Sequence, residues 1–150
     1  YTYLHPGEAE LIDADLVRDT CLVGTAEELI ERIQELERGG LRELMWATGW
    51  MHDANDVISP LLGLPQLPVV DLDEPQIDVV KSDQLNWKTE TLVEVAAGRP
   101  FVWIDDEITG TDRTWVAENH PGSALLFRID AHFGLTEADL AAVERWLRNL

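Results

Sequence analysis

Two adjacent carboxylates, Asp105 and Asp106, end a run of large apolar residues that begins at Phe101. A run of this kind, without polar alternation, is typical of a strand that is covered on both faces. Paired acids at the end of a buried strand place oxygen ligands where a divalent cation can bind. The sequence therefore predicts a cation site at Asp105 and Asp106, with a solvated turn as the alternative.

Three further positions carry residue types that suit metal-assisted phosphoryl transfer. Thr48 and Gly49 come directly after an apolar run, and Lys88 stands at the predicted start of a helix. A lysine and a hydroxyl group can neutralise and orient phosphoryl oxygens while carboxylates hold the cation. Capping of the following helix is the alternative role for Thr48, and a surface position is the alternative for Lys88.

The order of the predicted elements indicates an α/β fold. Predicted strands occupy residues 20–23, 44–47, 67–72, 101–104 and 123–129, and predicted helices occupy 25–38, 52–62, 89–97, 111–118 and a segment that begins at Thr136. Strands and helices that alternate with short connections favour a parallel sheet with helices on both faces. We expect a three-layer αβα architecture with a mostly parallel, Rossmann-like sheet of about five strands and no cap domain.

Length and composition favour a single domain over residues 1–150, with 1–19 as an irregular lead-in. Hydrophobic residues make up 45% of the chain and charged residues 27%, which is ordinary for a soluble globular protein. No apolar run approaches the roughly 18 residues of a membrane span, and Tyr1 to Glu10 lack the features of a secretory signal. The single cysteine, Cys21, fits a reducing compartment, so we expect a cytoplasmic protein.

The charge of the chain limits its partners. Its 29 acidic and 11 basic residues give a formal net charge of −18. A field of this sign repels phosphate backbones and anionic lipids, so we expect neither nucleic acid nor membrane as a partner. A phosphorylated small molecule is the expected partner of an active enzyme, and it would need a cation or a basic residue to bind. The oligomeric state is left open.

Three segments of the chain occur in the order of known sequence motifs. They are Trp46-Ala47-Thr48-Gly49-Trp50, Leu85-Asn86-Trp87-Lys88 and Trp103-Ile104-Asp105-Asp106-Glu107. Their order and their places after predicted strands or at a helix start resemble the second, third and fourth motifs of the haloacid dehalogenase-like (HAD) superfamily. The likeness covers about residues 44–150 and implies a HAD-like sheet.

This resemblance implies a role for each candidate residue. Thr48, with Gly49 beside it, would bind the phosphoryl group, and Lys88 would steady an aspartyl-phosphate intermediate. Asp105 and Asp106 would hold Mg²⁺. The implied activity is Mg²⁺-dependent hydrolysis of a phosphate monoester.

The first motif of that superfamily is an Asp-x-Asp sequence after a buried strand, and Asp13 and Asp15 have this spacing. The resemblance makes Asp13 the nucleophile and a metal ligand and makes Asp15 the general acid/base. The six residues before Asp13 include only Leu11 and Ile12 as large apolar residues, which is a poor pattern for a central strand. An exposed loop is the alternative position for this pair.

A second resemblance covers residues 16–44. The segments Cys21 to Glu28 and Gly39 to Leu44 are similar to the C-terminal part of luciferase-like flavin or deazaflavin monooxygenases. In that family a Gly-Thr turn, here Gly24 and Thr25, leads into a late helix of a TIM barrel near the cofactor phosphate. The chain therefore reads as a fusion or chimera, natural or engineered.

Two hypotheses of different classes follow. The first is a Mg²⁺-dependent phosphohydrolase that uses Asp13, and the second is a non-catalytic or chimeric HAD-like domain without the first motif. In the second case Asp13 and Asp15 belong to a surface loop. A flavin-linked oxidoreductase is a distant third hypothesis, because most of a barrel would be missing. The sequence leaves open whether the chain is an enzyme.

Overall fold

The computed structural model describes residues 26–72 and 84–150. Its helices are α1 (Ala26–Gly39), a π-helix (Ala54–Ile58), α2 (Ser59–Leu61), α3 (Thr89–Ala96), α4 (Gly110–Asn119) and α5 (Glu137–Leu147). Its strands are β1 (Phe101–Asp105) and β2 (Ala124–Arg128). The predicted strand 20–23, the Gly24-Thr25 turn and the Asp13 and Asp15 pair lie outside the described residues.

The two strands form a parallel pair that α4 connects. Their register runs from Phe101 opposite Ala124 to Asp105 opposite Arg128. The ladder continues one step further, because the backbone N–H of Ile129 donates to the carbonyl oxygen of Asp105 at 3.1 Å. Both carboxyl ends therefore lie at the same edge of the sheet, where Asp105 ends its strand.

Helices cover both faces of this strand pair. On one face Trp103 of β1 and Leu126 of β2 form a buried cluster with Ile108 and Val116, and side chains of α3 and α4 pack against it. On the other face, side chains of both strands pack against a second cluster that belongs to α1 and α5, namely Leu36, Val143 and Leu147. Because both faces are covered, β1 reads as a continuous apolar run without polar alternation.

The prediction of a five-stranded, three-layer Rossmann-like sheet is wrong. In the part of the chain that the structure describes, the sheet has two strands, and the segments 44–47 and 67–72 meet only in one parallel bridge between Trp46 and Val69. The residue before Val69 is Pro68, which has no N–H to donate to a ladder. The side chain of Asn55 binds both backbone groups of Leu67: its Oδ1 accepts from the N–H of Leu67 at 2.9 Å, and its Nδ2 donates to the carbonyl oxygen of Leu67 at 2.7 Å. Pro68 therefore cannot extend the ladder, and Asn55 takes the backbone groups that Leu67 would need to pair with a further strand.

The helix predicted over 52–62 is instead a π-helix followed by the short α2, which has Pro60 near its start. Ser59 donates to Asn55 at 3.2 Å and accepts from the indole of Trp46 at 3.2 Å. Ser59 therefore connects the helical turns to Trp46 on one side of the parallel bridge, and Asn55 connects them to Leu67 in the segment on the other side. Within the described ranges, no helix is both long and apolar enough to cross a membrane.

The connection between α3 and β1 requires an unusual backbone. Ala97 caps the end of α3 with φ 49°, and Gly98 follows with φ 79°. The next connection packs against this one: a Cβ atom on Gly122 would lie 2.4 Å from the carbonyl oxygen of Gly98. Gly122 therefore fits only because it has no side chain.

Replacing Ala97 with glycine is expected to stabilise the protein. Ala97 is exposed, so the substitution removes little packing, and glycine adopts the left-handed conformation without steric cost. We expect the free energy of unfolding in urea to rise by about 0.5–1 kcal/mol. Ala117→Gly is the matched control, because Ala117 is exposed within α4, and it should lower the same quantity by about 0.5–1 kcal/mol. A loss of stability in both variants would contradict this account of the helix end.

Candidate functional site

A buried ion pair lies at the carboxyl end of β1. Lys88 immediately precedes α3, and its Nζ atom lies 2.7 Å from Oδ2 of Asp105, the last residue of β1. Lys88 is 8% exposed and Asp105 is 9% exposed. The pair therefore joins the start of a helix to the end of a strand, away from bulk water. Two candidate residues that are 17 positions apart in the sequence are in direct contact.

Asp105 is also held by two neighbours in the chain. The indole Nε1 of Trp103 donates to Oδ2 at 3.3 Å, and the backbone N–H of Glu107 donates to Oδ1 at 2.9 Å. The ammonium of Lys88 lies 5.6 Å from the ring centroid of Trp87, within the range of a cation–π interaction. Both oxygens of Asp105 thus have donors, and its negative charge faces the ammonium directly.

Asp106 lies at the same edge but is exposed. It borders an open groove of about 500 Å³ that is also lined by Arg128, Ile129, Asp130, Ala131 and His132. Arg128 donates from Nε to the carbonyl oxygen of Asp106 at 2.9 Å. The backbone N–H of His132 donates to Asp130 and holds the pKa of this carboxyl below its ordinary value. The groove therefore carries charges of both signs.

The residues at this edge do not by themselves fit a Mg²⁺ site. Asp105 already accepts from three donors, and Asp106 is the second carboxylate. Across residues 26–72 and 84–150, no group of three or more histidine, cysteine, aspartate or glutamate side chains is placed to hold a metal ion. Mg²⁺ prefers oxygen ligands in octahedral geometry. A site here would need a further ligand, and Asp13 lies outside the described residues.

Thr48 and Gly49 belong to a turn that follows the Trp46 bridge. The Thr48 hydroxyl accepts from the backbone N–H of Trp50 at 3.3 Å, and its carbonyl accepts from Met51 at 3.0 Å. Among the described residues, no hydrogen bond connects this turn to Lys88 or Asp105. The structure thus brings two of the predicted site residues into contact, and Thr48 and Gly49 are not hydrogen-bonded to them.

Sequence reasoning missed one residue beside this site, Asp112. Its side chain is fully buried in the first turn of α4. Burial raises its pKa, but hydrogen bonds from the hydroxyls of Thr89 and Thr109 and from the backbone N–H groups of Asn86 and Thr109 outweigh this effect and lower the pKa. The signal was present, because Thr109 and Asp112 have the Thr-x-x-Asp spacing of a capping box.

Comparisons with known proteins do not identify a family for this chain. No protein-family model, curated protein or solved structure matches the chain at a significant level. The resemblances to HAD domains and to luciferase-like monooxygenases therefore rest on the motifs alone and stay predictions.

Removing the ammonium is expected to destabilise the protein strongly. In Lys88→Met the carboxylate of Asp105 stays buried without its counter-ion, which should lower the free energy of unfolding by about 3–5 kcal/mol. Adding Asp105→Asn to this variant removes the unpaired charge and should restore part of the loss. Arg148→Met is the control, because Arg148 pairs with Glu144 on an exposed helix surface, and its effect should stay within about 0.5 kcal/mol. Equal losses in the two single variants, measured by urea unfolding, would contradict this account.

Asp112 is expected to make stability depend on pH. Its pKa is lower in the folded chain than the ordinary value of 3.8, so its contribution is complete above that value and is lost as the pH falls through the folded pKa. At pH 7 we expect Asp112→Asn to lower the free energy of unfolding by roughly 1.5–3 kcal/mol. The difference between wild type and variant should shrink between pH 5 and pH 2. Urea unfolding across this range measures it, and a difference that is independent of pH would contradict the assignment.

Proposed function

We propose that this chain is a HAD-like phosphohydrolase scaffold that hydrolyses a phosphate monoester through an aspartyl-phosphate, with Mg²⁺ as cofactor. The observation that carries the proposal is the buried contact between Lys88 and Asp105 at 2.7 Å. The resemblance assigns these two residues to different motifs of one catalytic site. Their contact supports a common site for both motifs at the carboxyl end of β1.

The chemistry assigned to Lys88 follows from its surroundings. An ammonium in a site that excludes water stabilises developing negative charge more strongly than one in solvent. In the proposed reaction a carboxylate oxygen of Asp13 attacks phosphorus, and the bond from phosphorus to the leaving oxygen breaks. Water then cleaves the acyl phosphate and releases inorganic phosphate. Lys88 would balance the charge of the phosphoryl oxygens in both steps, and Asp15 would transfer the protons.

The resemblance to HAD domains implies Mg²⁺ as the cofactor. Asp105 and Asp106 would supply two of its ligands, and Asp13 would supply the further ligand that the edge needs. Without that further ligand, the described residues do not form a metal site. A phosphorylated small molecule in the cytoplasm is the proposed substrate, since a net charge of −18 disfavours nucleic acid and anionic membranes.

A second candidate function is a non-catalytic HAD-like domain, natural or chimeric. The observation in its favour is that both oxygens of Asp105 already accept from donors of this chain. In this case the ion pair only connects α3 to β1. The Thr48 turn also makes its hydrogen bonds within itself.

Hydrolysis of p-nitrophenyl phosphate with Mg²⁺ tests the proposal. We expect turnover by the wild type, loss of turnover with excess EDTA, and a fall of about a thousandfold or more in kcat for Asp13→Asn, because the nucleophile is removed. Lys88→Arg should also lower kcat, since a planar guanidinium does not reproduce the position of an ammonium.

Asp56→Asn is the matched control for these variants, because Asp56 is an exposed acid of the π-helix. It should keep the wild-type rate. Activity that survives Asp13→Asn would remove Asp13 as the nucleophile. If a folded wild type with an unchanged circular dichroism spectrum hydrolysed nothing, the non-catalytic candidate would be favoured.

A further inference from the structure

The two carboxylate oxygens of Asp112 contact two different elements. Oδ2 accepts from the backbone N–H and the hydroxyl of Thr109, at 2.8 and 2.7 Å, which closes the capping box of α4. Oδ1 accepts from the backbone N–H of Asn86 at 2.8 Å and from the hydroxyl of Thr89 at 2.7 Å. The second pair of donors belongs to the start of α3. Asp112 therefore connects the start of α4 to the start of α3 through hydrogen bonds.

Asn86 and Thr89, which donate to Oδ1 of Asp112, lie on either side of Lys88 in the sequence. Asn86 also accepts from the backbone N–H of Lys88 with its side-chain Oδ1 at 3.0 Å, and its carbonyl accepts from Thr89 at 3.0 Å. The backbone of Lys88 is therefore held from both sides by residues bound to Asp112. The side chain of Lys88 then reaches Asp105 at 2.7 Å.

Capping of α4 does not by itself account for the burial of Asp112. Thr136 and Asp139 form the same capping box at the start of α5, with the same two distances of 2.8 and 2.7 Å to Oδ2. Asp139 is only partly buried, whereas Asp112 is fully buried. Burying a carboxylate costs free energy that an exposed cap avoids. The difference between the two boxes is the contact of Asp112 with the start of α3.

We propose that Asp112 is a positioning residue, which holds the start of α3 so that the ammonium of Lys88 stays on Asp105. As a role in catalysis, this inference rests on the proposed function of the Lys88 site. Asp112 touches neither Lys88 nor Asp105 with its side chain and acts through Asn86 and Thr89. Loss of the Oδ1 contacts should therefore displace the ammonium without removing any charged group from the ion pair.

The side-chain signals of lysine provide a direct readout, because the chain has only two lysines, Lys81 and Lys88. Protein labelled with ¹³C and ¹⁵N in lysine gives two ammonium signals by NMR, and Lys88→Arg assigns them. In Thr89→Val, which removes one Oδ1 donor at similar volume, we expect the Lys88 signal to shift. Its acetylation by acetic anhydride should become about tenfold faster, since local opening exposes the amine. Thr89→Ser keeps the hydroxyl and should restore both values.

Asp112→Asn should shift the Lys88 signal further and raise its acetylation rate more than Thr89→Val does. Asp139→Asn is the matched control, because it removes the equivalent cap at α5 and should leave the Lys88 signal and its acetylation rate unchanged. The proposal is overturned if Thr89→Val leaves both readouts at the wild-type values. It is also overturned if Asp139→Asn changes them as much as Asp112→Asn does. Thr89→Val decides the matter even if Asp112→Asn does not fold.

Activity separates this inference from the proposed function. If the wild type hydrolyses p-nitrophenyl phosphate, Thr89→Val should lower kcat by about tenfold with little change in KM, because the loss is in transition-state stabilisation. Asp139→Asn should change neither constant. If the wild type hydrolyses nothing, the proposed function fails, and the lysine readouts still support or overturn the positioning role of Asp112.

Discussion

Burial of negative charge beside β1 is the constraint on which the rest of this structure depends. Among the described residues, the buried side chains include the carboxylates of Asp105 and Asp112. Because water does not solvate them, the chain must supply donors. Asp105 receives the ammonium of Lys88, while Asp112 receives the hydroxyl of the next residue, Thr89. The start of α3 therefore satisfies both acids, so that hydrogen bonds as well as apolar packing fix its place between β1 and α4.

Local sequence signals predicted the elements around these acids. The apolar run from Phe101 predicted β1, because a strand covered on both faces needs no polar alternation. Thr136 predicted the start of α5, since a threonine that caps a helix acts on residues only three positions away. These signals depend on short stretches of chain, so they can be recognised without knowing which distant segments each element packs against.

The sheet could not be predicted in this way, because pairing is a property of two segments. The stretches 44–47 and 67–72 have the apolar content of strands, yet the structure joins them by one bridge. Asn55 occupies the backbone groups of Leu67, and Pro68 has no N–H to donate. Composition shows that these stretches are apolar. It does not show that a side-chain amide from a helix takes the place of a neighbouring strand.

The ion pair between Lys88 and Asp105 has a different role in each of the two candidate functions. Residue types predicted a common site for Lys88 and Asp105, but they did not predict that the two would already be paired. The ammonium of Lys88 donates to Asp105, and an ammonium has three protons to donate. In a phosphohydrolase a phosphoryl oxygen can therefore accept a further hydrogen bond from Lys88 while Asp105 holds the ammonium in place. In a non-catalytic domain the same pair is only a structural link between α3 and β1, so the two cases differ in whether the remaining protons of Lys88 meet a substrate.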